Sequence, residues 1–396
     1  MLVVTRIGGG LKRVNHAAVA VDELIYSFGG FAFTEDNISM RPIDVHTLNM
    51  NTLRWEQISY SDGGKLFDYF AYHFINFNIN LMFTFLLFTG DPTNVPFIRY
   101  GHSVVAQDDI IYLWGGRRDR VQCNKMFTFD TNTRQWSAPK VKGTIPRARG
   151  GHAACICAGH MYILGGYEEA TKKYCDTVFR FELKTFTWQA VYQLTSGLLK
   201  KVYMSCVAID NKIYLFGGRS YSCPFRDSDI MELDTEKMTL STPKVSGYKP
   251  CCRRSHSAVV IDNKMVVFGG YNDITDEYHN DFNVFDPKTY SWTPLNTIGQ
   301  EPPRARRGNC CVAVNSFLYL FGGSSPEPKT REDQAASLME LDDLFVIDTN
   351  RSLRSMSLQV VLKNDLDTRR LPPTLRREVE SYRTDNKLQC TQLNAQ

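Results

Sequence analysis

The chain has 396 residues, of which 43% are hydrophobic, 12% aromatic and 22% charged, a globular composition with ample material to fill a core. A formal net charge of only +4 excludes long-range attraction to nucleic acid or an anionic membrane as the expected driver of binding. The 11 cysteines are odd in number and contain no Cys-x-x-Cys pair. Adjacent strand residues such as Cys251 and Cys252, or Cys310 and Cys311, point to opposite faces, which suits packing better than bridging. Free thiols in a reducing compartment, cytoplasmic or nuclear, are the expectation. The start of the chain, Met1 to Gly10, lacks the pattern of a signal peptide.

From there the chain repeats. A glycine doublet follows an apolar run six times, at Gly29, Gly115, Gly165, Gly217, Gly269 and Gly322, with intervals of 86, 50, 52, 52 and 53 residues. Thirteen residues before the doublet stand His16, His102, His152 and His256. Three residues earlier is a basic residue in every unit: Arg13, Arg99, Arg149, Lys201, Arg253 and Arg306. Later in four units comes a tryptophan, Trp55, Trp136, Trp188 or Trp292, six residues after Asn49, Asp130, Glu182 or Asp286. Within a unit, Val259–Ile261, Met265–Phe268, Phe282–Phe285 and the stretch around Trp292 read as four strands joined by polar turns. Four strands make a blade, and six units make six. The last four intervals match the kelch period of about 50 residues, so an all-β, six-bladed kelch propeller is predicted over residues 1–350. The sixth unit has Arg354 where its tryptophan would stand, and Met1–Ile7 is expected to supply the outer strand there and close the ring. The aligned histidines are read as partly buried rings at blade-edge turns, not as metal ligands.

Two stretches depart from the repeat. The long first interval carries an insertion at about 61–89, in which Leu66 to Phe88 is rich in Phe and Asn and has no clear period. Asp68, His73, Asn76, Asn78 and Asn80 argue against a membrane helix, and so aromatic a loop would invite aggregation. It is read as foreign to the fold, a translated intron, a reading that continuous messenger RNA through these codons rejects. In the fourth unit Met204 replaces the histidine, and Leu198–Val202 lacks the Pro-Arg lead-in; the sixth has Asn309. The apolar runs Lys212–Phe216 and Phe317–Phe321 are intact, so both blades are still expected.

The wording of the repeats resembles the kelch domain-containing protein three family: Arg13-Val-Asn-His-Ala-Ala-Val-Ala20, Tyr26-Ser-Phe-Gly-Gly30, Arg99-Tyr-Gly-His-Ser103, Trp114-Gly-Gly-Arg117, Gly165-Gly-Tyr-Glu168 and Arg253-Arg-Ser-His-Ser257. The similarity covers nearly the whole chain except Ser61 to Thr89 and the region around Leu198 to Tyr203. The resemblance implies a non-catalytic substrate receptor of a cullin-2 RING ubiquitin ligase, which binds C-terminal degrons ending in glycine and delivers them for proteasomal degradation. After Asp348 the strand pattern stops, and residues 351–396 are expected to be a helical segment and tail. Leu353, Met356, Val360 and Val361 fall on one face at helical spacing. Ser352-Leu353 resembles an elongin-binding box, with Ser357 where the family has cysteine. Leu371, Pro372, Leu375 and Val379 fit a cullin-2 box. Elongin B/C and cullin-2 are therefore the implied partners. The bland alternative is an amphipathic tail helix packed on the propeller.

Residues just before the first strand (Arg13, Arg99, Arg149, Arg253, Arg254, Ser255, Arg306) and just after the doublet (Phe31, Arg117, Tyr167, Arg219, Tyr271, Ser324) are expected to meet at one mouth as a basic, aromatic-lined bowl. By the resemblance, Tyr167, Arg219, Arg254 and Ser255 fall where carboxylate-pocket residues lie, with Arg219 as the clamp. Arg99, Arg117, Arg253 and Tyr271 complete the candidate peptide site. Two other readings compete. A kelch-fold enzyme needs a metal or acid–base cluster, and no Cys/His/Asp group has metal spacing. A scaffold for cytoskeletal or chromatin proteins needs neither. No metal, cofactor, nucleic acid or membrane partner is expected.

Overall fold

Ser257–Ile261, half-buried in its middle, and Lys264–Phe268, buried from Met265 on, are joined by Asp262 and Asn263, both at positive φ (50° and 55°). That turn matches the right-handed twist of the strands it joins. Phe282–Asp286 pairs antiparallel on Lys264–Phe268, and Ser291–Leu295 on Phe282–Asp286. A carboxylate starts the turn between these last two strands: Asp286 Oδ1 accepts the Lys288 amide at 2.9 Å. Asp130, Asp234 and Asn49 do the same in other units, so the acidic or amide residue that keeps its distance from the tryptophan is a turn former.

The computed structural model of the protein describes residues 1–33, 41–61, 66–67, 94–193, 197–220, 229–327, 337–386 and 389–390. Six such meanders form a six-bladed β-propeller with two short C-terminal helices. In the sixth blade Leu2–Ile7 pairs antiparallel with Leu344–Asp348, so the N-terminal strand closes the ring. The run Leu66 to Phe88 lies outside the described residues, apart from the strand Leu66–Phe67, which pairs with Tyr60–Ser61.

The core lies between blades. Each tryptophan pairs with the third strand of its own blade and meets the aromatic residue that precedes the glycine doublet of the blade before. Trp136 meets Phe28 at 5.7 Å between ring centroids, Trp188 meets Trp114 at 5.6 Å, Trp292 meets Phe216 at 5.0 Å and Trp55 meets Phe321 at 4.8 Å. Leu240 and Val4 hold the corresponding place in blades four and six, opposite Leu233 and Ile347. Arg354 belongs instead to the first helix.

The aligned basic residues turn inward. Arg99, Arg149, Arg253 and Arg306 are buried. Each sends Nη1 to the carbonyl of the first doublet glycine of its own blade, at 3.1–3.3 Å. Each sends Nε to a carbonyl two residues upstream. Three also hold a carboxylate: Arg149 with Glu168 at 2.9 Å, Arg253 with Asp281 at 2.6 Å and Arg306 with Asp343 at 2.7 Å. Arg99 and Arg253, and with them Arg149 and Arg306, therefore do not line the bowl. Side chains alternate along a strand, so the residue that faces the mouth is the next one, and the expectation was off by one position.

The aligned histidines are inter-blade packing. A Cβ on Gly115 would stand 2.5 Å from His152 Cε1, and one on Gly322 2.6 Å from His16 Cε1, so the first doublet glycine makes room for the next blade's ring. Met204 and Asn309 fill the same place against Gly165 and Gly269. Burial, reinforced by the neighbouring arginine, pushes the pKa of His16, His152 and His256 down to about 3. In the unfolded chain a histidine titrates near 6.5. Between these values the unfolded state binds protons that the folded state refuses, so stability present above pH 6.5 is lost as the pH falls. The penalty is roughly 2–3 kcal/mol per histidine at pH 4.5. The melting temperature is expected to drop steeply between pH 6.5 and 4.5, above the carboxylate range. His152→Asn, copying Asn309, is expected to flatten that slope; an unchanged slope would place the acid sensitivity elsewhere.

Candidate functional site

The residue before each aligned histidine or its replacement sits at positive φ: Asn15, Gly101, Gly151, Tyr203, Ser255 and Gly308, all between 52° and 68°. This conformation turns their amides around the propeller axis. Gly101 donates to Asn15 O (3.2 Å), Gly151 to Gly101 O (2.8 Å), Tyr203 to Gly151 O (2.7 Å), Ser255 to Tyr203 O (2.9 Å), Gly308 to Ser255 O (2.8 Å) and Asn15 to Gly308 O (2.9 Å). Six hydrogen bonds close on themselves, one residue from each blade.

One residue upstream of the ring, each blade forms a short bridge to the residue after its doublet: Val14 with Phe31, Tyr100 with Arg117, Gly150 with Tyr167, Val202 with Arg219, Arg254 with Tyr271 and Arg307 with Ser324. These bridges form the wall of the mouth. On one side they enclose a cleft of about 460 Å³, within the size range of ligand sites, lined among others by Tyr100, Arg117, Tyr167, Tyr203, Arg219 and Arg254. Lys172, Gln122 and Tyr174 complete its rim.

Of the expected site residues, Tyr167, Arg117, Arg219 and Arg254 meet in this cleft. Ser255 is a ring member beside Arg254, and its hydroxyl has no hydrogen bond among the described residues. Tyr271 stands behind, stacked under Arg254 at 5.1 Å and Arg307 at 4.8 Å, with its hydroxyl given to Asp276. The bowl is less purely basic than expected. Arg254 Nε holds both oxygens of Asp273, at 2.9 and 2.7 Å. Arg117 lies 5.3 Å over Tyr100 and 3.8 Å from Glu169. Burial works against the charge of Arg117, but the Tyr100 and Tyr203 hydroxyls and Glu169 outweigh it and raise its pKa. Burial likewise opposes the charge of Arg254, and Asp273 more than restores it. Arg219 is exposed and, among the described residues, its side chain makes no hydrogen bond or ion pair, so its guanidinium is available to a ligand. Tyr100, Tyr174 and Tyr203 were missed from the sequence. Tyr203 had a signal: it occupies the register position of Gly101 and Gly151.

At the far end of the chain lie two helices, α1 (Leu353–Lys363) and α2 (Pro373–Arg383). Ser352 caps α1 by accepting the Ser355 amide and gives its hydroxyl to Asp348 at 2.8 Å. Gln359 is the buried residue of α1 and donates to Thr5 Oγ1 of the N-terminal strand. The apolar residues point away: Leu353 is 79% exposed and Val360 54%, with Met356 and Ser357 also open. Packing of that stripe on the propeller is thus overturned, since Gln359 faces the blade instead. Val361 and Leu371 are half-buried, Pro372 caps α2 and Leu375 is exposed, whereas Val379 is buried and unavailable to a partner. Arg354 holds α2 through both oxygens of Glu378, and Asn386 is latched to Gly8, Leu53 and Trp55 of the propeller. Among the described residues no group of His, Cys, Asp and Glu could hold a metal, and no helix is long and apolar enough to cross a membrane.

Six four-stranded blades in this register, with buried arginine clamps and a glycine doublet under every inter-blade ring, define a kelch β-propeller. A family model described as the KLHDC2/KLHL20/DRC7 Kelch-repeats domain matches residues 101–323. Kelch domain-containing protein 3 of Rattus norvegicus is 33% identical over 390 residues, covering 96% of this chain and 95% of the relative. The Homo sapiens protein of that name is 33% identical over 388 residues, with the same shares covered. Host cell factor of Drosophila melanogaster is 24% identical over 347 residues, 66% of this chain and 23% of the relative. The chain belongs to the kelch domain-containing protein 3 family.

Proposed function

We propose that the protein is a substrate-recognition subunit of a cullin-2 RING ubiquitin ligase and that its bowl captures glycine-ended C-terminal degrons. The observation that carries this reading is Arg219, a guanidinium without a partner among the described residues, on the wall of a cleft that also holds Arg254 and four tyrosines. A terminal carboxylate offers two oxygens to such a planar donor. The clamp rejects internal sequence, because without the anion its charge is desolvated for nothing. Ser255 adds a free hydroxyl nearby, and Tyr167 forms the side wall. No catalytic residue is required of the propeller in this role.

A hydrogen bond to a charged group contributes roughly 1.5–3 kcal/mol. A peptide ending in Arg-x-x-Gly is therefore expected to bind as the free acid and at least about tenfold more weakly as the amide. Arg219→Ala is expected to remove that difference without changing the melting temperature, because the side chain supports nothing in the fold. Calorimetric titration of both peptides checks this, and equal binding of acid and amide to the wild type refutes it.

Delivery of the substrate rests on the helices. The outward stripe of Leu353, Met356 and Val360 is offered to elongin C, and Leu375 beside Pro372 to cullin-2. Leu353→Asp is expected to abolish co-purification of elongin B/C and cullin-2 with the full chain while peptide affinity stays unchanged. Retention of both partners by that variant counts against the assignment.

A further inference from the structure

The six ring residues share one backbone conformation but not one side chain. Gly101, Gly151 and Gly308 have none, and Asn15 and Ser255 are small polar residues that tolerate positive φ. Tyr203, at φ 55°, is the bulky exception. A bulky residue held there is strained, and such strain persists where its surroundings enforce it. Here the surroundings are specific. A Cβ on Gly151 would stand 3.3 Å from Tyr203 Cε1 and 3.4 Å from its Cζ, and one on Gly101 3.8 Å from Cε1. The phenol ring therefore lies across the next two ring positions, at the foot of the cleft, and the glycines of blades two and three make its bed. Its neighbours in the cleft are Tyr100, Arg117, Tyr174, Arg219 and Arg254. Its hydroxyl makes no hydrogen bond among the described residues.

We infer that Tyr203 is the floor of the binding site and sets the size of the terminal residue it admits. This rests on the proposed function, in which Arg219 and Arg254 hold a chain end. A terminus held there meets the flat face of a phenol. Main-chain atoms and a carboxylate lie against that face, whereas a side chain on the last residue needs the volume that the ring fills. The bowl thus selects chain ends whose final residue carries no side chain, and it does so through one aromatic ring.

The test uses the full-length protein and three fluorescent free-acid peptides that differ only in ending with glycine, alanine or leucine. Wild type, Tyr203→Gly and Tyr203→Phe are titrated by anisotropy, with thermal melts to show that each is folded. Glycine suits positive φ, so Tyr203→Gly keeps the backbone ring while removing the floor. A few buried atoms discriminate by about tenfold or more. Wild type is expected to prefer the glycine end over alanine by about that factor, and Tyr203→Phe to keep the preference. Tyr203→Gly is expected to bind the alanine end within about threefold of the glycine end and to admit leucine. The inference is overturned if a folded Tyr203→Gly keeps the wild-type preference, or if Tyr203→Phe loses as much of it as Tyr203→Gly. Equal binding of all three peptides by wild type removes it together with the glycine preference, while leaving capture of a free chain end standing; absence of binding to every peptide removes both.

Discussion

Six backbone hydrogen bonds, each from the amide of one blade to the carbonyl of the last, form the constraint on which the rest of the molecule depends. They close only if every blade begins with a residue at positive φ and only if the sixth blade meets the first. Closure at the inner edge is matched at the outer one by the strand Leu2–Ile7, which completes the blade that contains Gly322. Once the ring is made, the positions around it are no longer equivalent. The residue just upstream faces the mouth, the one before that is buried, and the one just downstream is driven between blades. Function and stability are therefore assigned to alternate residues of the same short segment.

The buried positions carry a second ring. The amide of the second doublet glycine donates to the carbonyl of the basic residue in the next blade, from Gly30 to Arg99 at 2.8 Å through Gly323 back to Arg13 at 2.8 Å. Arg99, Arg149, Arg253 and Arg306 also reach back into their own doublets, so these four doublets are held from both sides. Burying these guanidinium groups is tolerable because Arg149, Arg253 and Arg306 have both carbonyl and carboxylate partners and Arg99 has carbonyl and aromatic ones, and removing a partner from such a buried pair costs about 3–5 kcal/mol. Charge at the mouth is supplied by different arginines, and part of it is neutralised: Asp273 answers Arg254, and Glu169 answers Arg117. No described carboxylate answers Arg219 or Arg307, but Arg307 lies over Tyr271 and Tyr278 whereas Arg219 is exposed in the cleft. A bowl that mixes answered and unanswered cations is a more selective device than a uniformly positive surface.

Much of this was legible in the repeat. The doublets, tryptophans and turn residues marked the strands, and the missing tryptophan of the last unit pointed correctly to the N-terminal strand. The proline and helical spacing marked α1 and α2. What failed did so for a physical reason. Arg99 and Arg253 were assigned to the bowl because register in sequence does not reveal facing, and one step along a strand reverses it. Tyr203 was read as part of a damaged unit, although Met204, Lys201 and Val202 rebuild the unit's hydrogen bonds and packing without the usual residues. Register with Gly101 and Gly151 places Tyr203 at the ring, but that its side chain lies across the cleft shows itself only in three dimensions. The outward stripe of α1 was legible as a stripe but not as an exposed one, because Gln359 rather than a hydrophobic residue makes the contact with Thr5.

The central claim is that a chain end is bound on the ring and its surrounding wall, away from the helices. Hydrogen–deuterium exchange of the full chain, with and without a saturating glycine-ended peptide, tests it directly. The account predicts slowed exchange in the segments that carry Gly101, Gly151, Tyr203, Arg219 and Arg254, with the outer strands and α1 and α2 unchanged. Protection confined to the cleft between the helices and the blades, with the mouth unaffected, would contradict it.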